Sequence, residues 1–224
     1  MMDEGMDNKY QHIAESWDAV FQKEVIKVPQ TAATGNSELD KGLDWLCSGV
    51  SSVLDFGCGS GSLLFYSTLR GVERLTGVDI SQAAVAAAVK SAALMEHGQF
   101  TFISGGIEKL ETMKDASTDA VILSNIVDNL YPEDARILMS EATRILKPAG
   151  KAFIKLNPYL TDEQIVAWKI RRIEDNVLDD GLILWNNTTA QWQTFLSAYL
   201  SQEEYLDVYF REQDQHNRLF LMTK

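Results

Sequence analysis

The chain reads as an α/β protein whose parallel sheet is covered by helices on both faces. Three observations carry that expectation. Short apolar runs alternate with helical periodicities between residues 53 and 156. A glycine-rich turn, Gly57-Cys58-Gly59-Ser60-Gly61, joins the first run to the first helix of that series. The alternation then breaks near the end of the chain, where two strand patterns follow one another with only polar turn residues between them. Alternating elements call for right-handed crossovers and a parallel sheet, whereas adjacent strand patterns call for an antiparallel hairpin.

The elements follow in order. Tyr10, Ile13, Ala14, Trp17 and Phe21 recur at helical spacing and predict an amphipathic N-terminal helix. Residues 29–36 read as a loop, after which Ser37 and Asp40 suggest a variant capping box for a helix burying Leu39, Leu43 and Leu46. Strands are expected at 53–56, 75–78, 100–103, 120–123 and 152–156. Helices are expected at 62–69, after a Ser81 cap, and from Pro132, which suits a first turn, to about residue 145. Residues 157–187 are longer than a plain connection. Thr161 and Gln164 look like another cap there, and Val166, Ile170, Ile173 and Val177 mark one apolar helical face. This insertion is expected to be helical and to act as a lid or substrate cover. Thr189 is expected to cap a helix burying Trp192, Phe195, Leu196 and Tyr199. Strands at 205–210 and 218–222 end the pattern.

Composition narrows the function classes. At 224 residues and 46% apolar content the chain can bury one substantial core, so one domain over 1–224 is expected, with 1–36 as an N-terminal helical cover. No apolar run approaches the roughly 18 to 20 residues of a membrane span. The opening Met1-Met2-Asp3-Glu4 has neither a basic nor an apolar region of the export type, so a cytoplasmic location is expected. Two cysteines, Cys47 and Cys58, offer no disulfide framework and no metal spacing, and no metal is expected. The net charge of -12 disfavours a nucleic-acid partner, which would require clustered Lys and Arg.

The chemistry-bearing segment is Val53-Leu54-Asp55-Phe56-Gly57-Cys58-Gly59-Ser60-Gly61. Glycine tolerates φ > 0 and has no Cβ, so a ligand can lie against bare backbone. The dinucleotide fingerprint is Gly-x-Gly-x-x-Gly, and here the third glycine comes one residue too early. Asp55 also precedes the first glycine, where a pyrophosphate would be repelled and a cationic ligand welcomed. Gly77-Val78-Asp79-Ile80-Ser81 then supplies a second acid.

These two segments resemble motif I and the acidic motif II of class I S-adenosylmethionine (SAM)-dependent methyltransferases. Arg144-Ile145-Leu146-Lys147-Pro148-Ala149-Gly150 is similar to the turn before strand five in that family, and Tyr10, Ala14, Trp17 and Asp18 match its N-terminal segment. The resemblance implies a Rossmann-like three-layer sandwich with a mostly parallel seven-stranded sheet and an antiparallel C-terminal strand. It implies SAM as cofactor and S-adenosylhomocysteine (SAH) as product; a small-molecule acceptor is expected, the alternatives being a protein or RNA acceptor, or a SAM- or SAH-binding module that acts through a partner. In this reading Asp55 and the amides of Gly57, Gly59 and Gly61 hold the methionine part, and Asp79 takes the ribose hydroxyls. Ile80 packs on adenine, and Tyr10 closes over the methionine end. The family's adenine-contacting Asp after strand three is Gly106 here, leaving the Ile107 backbone or the Glu108 carboxylate for that contact. Asn125 lies in the loop under the sulfonium.

His12 and Asp128 are the candidate general bases. Tyr159, Trp185, Asn186, Asn187 and Trp192 are candidates for an acceptor pocket. Asn157-Pro158-Tyr159 is similar to the Asn-Pro-Pro-Tyr signature of amino-methylating enzymes. It follows the wrong strand and lacks the second proline, so it reads as coincidence.

Overall fold

The structure is a computed structural model that describes residues 5–224; the opening Met1-Met2-Asp3-Glu4 lies outside the described residues. Helix α1 spans Gly5–Phe21 and α2 spans Ser37–Cys47. The alternating series follows: β1 (Ser52–Phe56), α3 (Ser62–Thr68), β2 (Arg74–Asp79), α4 (Gln82–Ala92), β3 (Gln99–Ser104), α5 (Glu108–Glu111), β4 (Thr118–Ser124), a 3-10 turn at Val127–Asn129, α6 (Pro132–Ile145) and β5 (Leu146–Leu156). The insertion holds α7 (Asp162–Ala167) and strands β6 (Arg171–Glu174), β7 (Val177–Asp179) and β8 (Ile183–Trp185). Helix α8 (Thr189–Ser197) leads into β9 (Ser201–Phe210) and β10 (Gln215–Thr223).

Seven strands form the main sheet in the order β3-β2-β1-β4-β5-β10-β9. β1 to β5 run parallel, and β10 is antiparallel to both β5 and β9. The sheet is buried on both faces because successive side chains point opposite ways. Leu54, Phe56, Val121, Leu123, Ile154 and Phe220 pack with α6 and α8 on one face. Val53, Ala120, Ile122, Phe153, Leu219 and Leu221 pack with α2 and α3 on the other. The chain order reverses between β1 and β4. That switch point leaves a crevice at the carboxyl ends of the strands, where ligands bind in such sheets.

The insertion departs from expectation. Only Asp162–Ala167 is helical, and residues 171–185 form a three-stranded antiparallel sheet in the order β6-β7-β8. Helical spacing of Val166, Ile170, Ile173 and Val177 was misleading, because the turn chemistry between them decides. Lys169 at φ 56° ends the helix, and Asp175 at φ 37° and Gly181 at φ 102° turn the chain twice. Leu160, Ile165, Leu178 and Leu184 then make a small core of their own. Two caps also shift by one residue. Asn36, not Ser37, accepts the Leu39 N–H, and Thr188, not Thr189, forms a reciprocal box with Gln191. The Ser81 and Thr161 caps form as read from the sequence. No helix among the described residues is long and apolar enough to cross a membrane.

Candidate active site

A cavity of about 1380 Å³ opens at the switch point. Single-ligand pockets run to roughly 300–1,000 Å³, so this one has room for a cofactor and a second molecule. The ends of four strands supply part of its wall. Phe56 ends β1 and Gly57 and Gly59 follow it, and Asp79 ends β2 and Ile80 follows it. Gly106, Ile107 and Glu108 follow β3, and Asn125, Ile126 and Asn129 follow β4. Helix α1 covers the crevice with Tyr10, Ile13, Ala14, Trp17 and Phe21. Asp18 fixes that helix in place: its Oδ1 accepts the Ser81 hydroxyl at 2.6 Å and the Ala83 N–H at 3.0 Å, at the start of α4.

The glycine loop is shaped by close approach. Gly57 has φ 76°, and an added Cβ there would lie 3.2 Å from the Ile126 side chain. Gly59 has φ 53°, and its Cβ would meet Phe21 at 3.1 Å. Both therefore keep bare backbone against the cavity. Asp79 closes the loop from β2: Oδ2 accepts the Gly59 N–H at 2.8 Å, and Oδ1 accepts the Ser81 N–H at 2.9 Å. Burial raises its pKa, with those two N–H groups opposing. Each oxygen keeps lone-pair capacity for a further donor.

Several expected residues stand elsewhere. Asp55 lies wholly buried behind the loop, and its Oδ1 has no hydrogen-bond partner. Burial and then the Asp79 charge lift its pKa to about 8. Gly61 does not line the cavity; it begins α3 at φ 88°, where a Cβ would crowd Phe65 and Phe102. Its bare backbone serves the turn and the packing beneath it. The Tyr10 ring lines the cavity, but its hydroxyl is taken: it donates to Asp134 at 2.5 Å and accepts the Tyr131 N–H at 3.1 Å. Ile80 is 37% exposed at the cavity wall. The Glu108 carboxylate lines the cavity and accepts the Gly106 N–H at 3.0 Å.

Neither expected base reaches the cavity. His12 is exposed and outside its lining, because α1 turns Tyr10, Ile13 and Ala14 inward and leaves residue 12 outside. Asp128 is fully buried beneath the floor, where its Oδ2 accepts the Asn157 N–H at 2.7 Å. Burial raises its pKa, and that bond and the Arg218 charge oppose the rise.

The expected aromatic and amide pocket is also displaced. Trp185 and Trp192 stack edge to face in the core with Phe195, and Asn186 pairs twice with the Leu160 backbone. None of Tyr159, Trp185, Asn186, Asn187 or Trp192 lines the cavity. Asn157, Pro158, Leu160, Trp168, Leu182 and Leu184 do instead, with Asp180 and residues 213–216 from the β9–β10 turn. The clue in the sequence was positional: Asn157 directly follows strand five, where a switch-point crevice collects side chains.

Comparison with known proteins agrees with this architecture. Residues 54–154 match a family model described as a methyltransferase domain. Among solved structures, 1,6-didemethyltoxoflavin-N1-methyltransferase of Burkholderia thailandensis, solved with 1,6-didemethyltoxoflavin and SAH, superposes with a TM-score of 0.71. That match has 14% identity over 100% of this chain and 92% of the other. The N-methyltransferase NodS of Bradyrhizobium japonicum WM9, in complex with SAH, gives 0.64 at 16% identity over 93% and 98%. A protein of Pyrococcus horikoshii OT3 gives 0.65 at 22% identity over 83% and 88%. These likenesses establish the common fold. The match over residues 54–154 is to a methyltransferase domain.

Proposed function

We propose that the protein transfers a methyl group from SAM to a small-molecule acceptor bound in the outer half of the cavity. The observation that carries this reading is one cavity large enough for two ligands, with the glycine loop and Asp79 at one end and an apolar wall from the insertion at the other. The residues present fit the cofactor. Gly57 and Gly59 offer a cradle that a Cβ would fill, and Asp79 keeps acceptor capacity for two hydroxyls. Asp55 Oδ1 is a buried acceptor without a partner behind the loop. Ile80 and Ile107 would flank the ring system, with Glu108 at its edge. Asn125 has its side chain engaged elsewhere and would face the cofactor by its main chain.

SAM, when bound, supplies a sulfonium methyl that an acceptor lone pair displaces in line, the sulfur keeping the electron pair as SAH departs. The protein's share is alignment and exclusion of water. Helix α1 covers the cofactor end, and we read residues 157–187 as the cover of the acceptor end. With His12 and Asp128 outside the cavity, the acceptor's proton leaves to solvent or to the acids and His216 that line it. A neutral nucleophile requires no more than this. The size of the cavity and the acidity of the chain favour a small molecule over nucleic acid. The test is SAH release from SAM by the purified protein over a panel of amines, phenols, thiols and lactams. Acceptor-dependent release supports the reading; SAH binding with no release from any acceptor class would favour a cofactor-binding module that works through a partner.

A further inference from the structure

Asn125, Asn129 and Asn157 line the cavity at the carboxyl ends of β4 and β5, and their amides form a chain. Lys155 Nζ donates to Asn125 Oδ1 at 2.6 Å, and Asn125 Nδ2 donates to Asn157 Oδ1 at 2.7 Å. Asn157 Nδ2 donates to Asn129 Oδ1 at 3.0 Å, and Asn129 Nδ2 donates to the Ile183 carbonyl at 2.7 Å. An ammonium only donates and a carbonyl only accepts. Lys155 therefore demands an amide oxygen at the head, and Ile183 demands an amide nitrogen at the foot. Both ends impose one direction, so turning over any single amide would set like groups against each other.

Asn157 is held further. Its N–H donates to Asp128 Oδ2 at 2.7 Å, and its carbonyl accepts from Arg218 Nε at 2.8 Å. Pro158 disfavours helical backbone at Asn157. Every polar group of Asn157 is thus engaged. Asp128 and Arg218 are buried, and Asp128 Oδ1 and Arg218 Nη2 have no partner. Burying a charged side chain costs free energy unless hydrogen bonds compensate it. Two such charges spent on one cavity-lining peptide favour a positioning role.

The amides keep unused valences: a second N–H on Asn125 and Asn129, and a second lone pair on Asn157 and Asn129. The three amides therefore both donate and accept and are themselves uncharged, with the Lys155 ammonium behind the first of them. Asp79, Glu108, Asp180 and Asp214 outnumber Lys109 in the lining of the same cavity and disfavour an anion, while Leu160, Leu182 and Leu184 suit an apolar body.

We propose that this amide chain receives the reacting end of the methyl acceptor, that Lys155 is the positioning residue that sets its direction, and that the reacting end is a neutral group able both to donate and to accept, such as a lactam. The proposal rests on the methyl-transfer reading above. The test uses full-length protein saturated with SAH, with 2-quinolone as the neutral probe and 2-naphthoate as the anionic one. Lys155→Met removes the donor, Lys155→Gln keeps an amide N–H, and Asn157→Ala removes the middle link. Calorimetry should show 2-quinolone binding and 2-naphthoate failing to bind. Affinity for 2-quinolone should fall roughly 5- to 10-fold in Lys155→Met and Asn157→Ala, for a lost hydrogen bond, and recover in Lys155→Gln. The Asn side-chain amide protons of residues 125, 129 and 157 should exchange slowly in the parent and in Lys155→Gln, and faster in Lys155→Met. Tighter binding of 2-naphthoate, no binding of either probe, or unchanged 2-quinolone affinity in folded Lys155→Met would overturn the proposal. Loss of SAH binding by the parent protein would instead sink the methyl-transfer reading.

Discussion

Replacing Asp79 by alanine separates the cofactor assignment from a purely structural role. The carboxylate accepts two backbone N–H bonds, from Gly59 at 2.8 Å and Ser81 at 2.9 Å. Asp79→Ala leaves both donors unpaired, and each costs about 1–3 kcal/mol if it stays dry. Unfolding should therefore shift to lower denaturant. The ligand effect is separate. If the remaining lone pairs take the ribose hydroxyls, their loss costs about 1–3 kcal/mol of binding, a rise in Kd of about 5- to 150-fold. Asp79→Asn sharpens the comparison, because its amide can offer oxygen to only one of the two N–H groups. Titration calorimetry with SAH measures the affinity, and a denaturant curve on the same sample confirms that the variant is folded. A folded Asp79→Ala protein with unchanged SAH affinity would refute the assignment.

Other expectations follow from the same geometry. Asp55, lifted to about 8, contributes stability that is fully present below its unfolded pKa of about 3.9 and is lost as pH rises toward 8. The cofactor-free protein should weaken over that window by at most about 1.4 kcal/mol per pH unit for this one proton. Asp79 and Asp128 are raised too and add in the same direction. Asp55→Asn should flatten the denaturant-midpoint profile, and an unaltered slope would count against the buried proton. Tyr10→Phe removes the hydroxyl between Asp134 and the Tyr131 N–H; a loss of about 1–2 kcal/mol should lower Tm by about 2–8 °C in calorimetric scans. Gly59→Ala puts a Cβ 3.1 Å from Phe21 at φ 53°, so α1 should dock less tightly, read as faster amide exchange over residues 9–21. His12→Ala should leave the pH profile of turnover unchanged, since residue 12 lies off the cavity.

The sequence made the sheet legible because its strands are short apolar runs whose neighbours have unmistakable helical spacing. Val53, Leu75, Phe100, Ala120 and Ala152 all fall inside the strands they were expected to begin. The loop at the switch point was legible for a related reason: Gly57 and Gly59 sit on a turn whose backbone tolerates few other residue types. The insertion was not legible. Asp175-Asn176 and Asp180-Gly181 are turn signals that outweigh an apolar period of three to four residues. The bases were misplaced because residue type says nothing of burial. Asp128 is the right kind of group on the wrong side of the floor, and His12 lies on the wrong face of its helix. The amide chain was unreadable because its four links come from residues up to 58 positions apart, brought together only by the order β1-β4-β5 and by the insertion folding back as a sheet.

The most direct test of methyl-donor binding at the β1–β4 switch point is calorimetric titration of the cofactor-stripped protein with SAH, with NADH as control. Saturable one-to-one binding of SAH, weakened in Asp79→Ala and absent for NADH, is the predicted result. Binding of NADH, or no binding of SAH by folded protein, would contradict it.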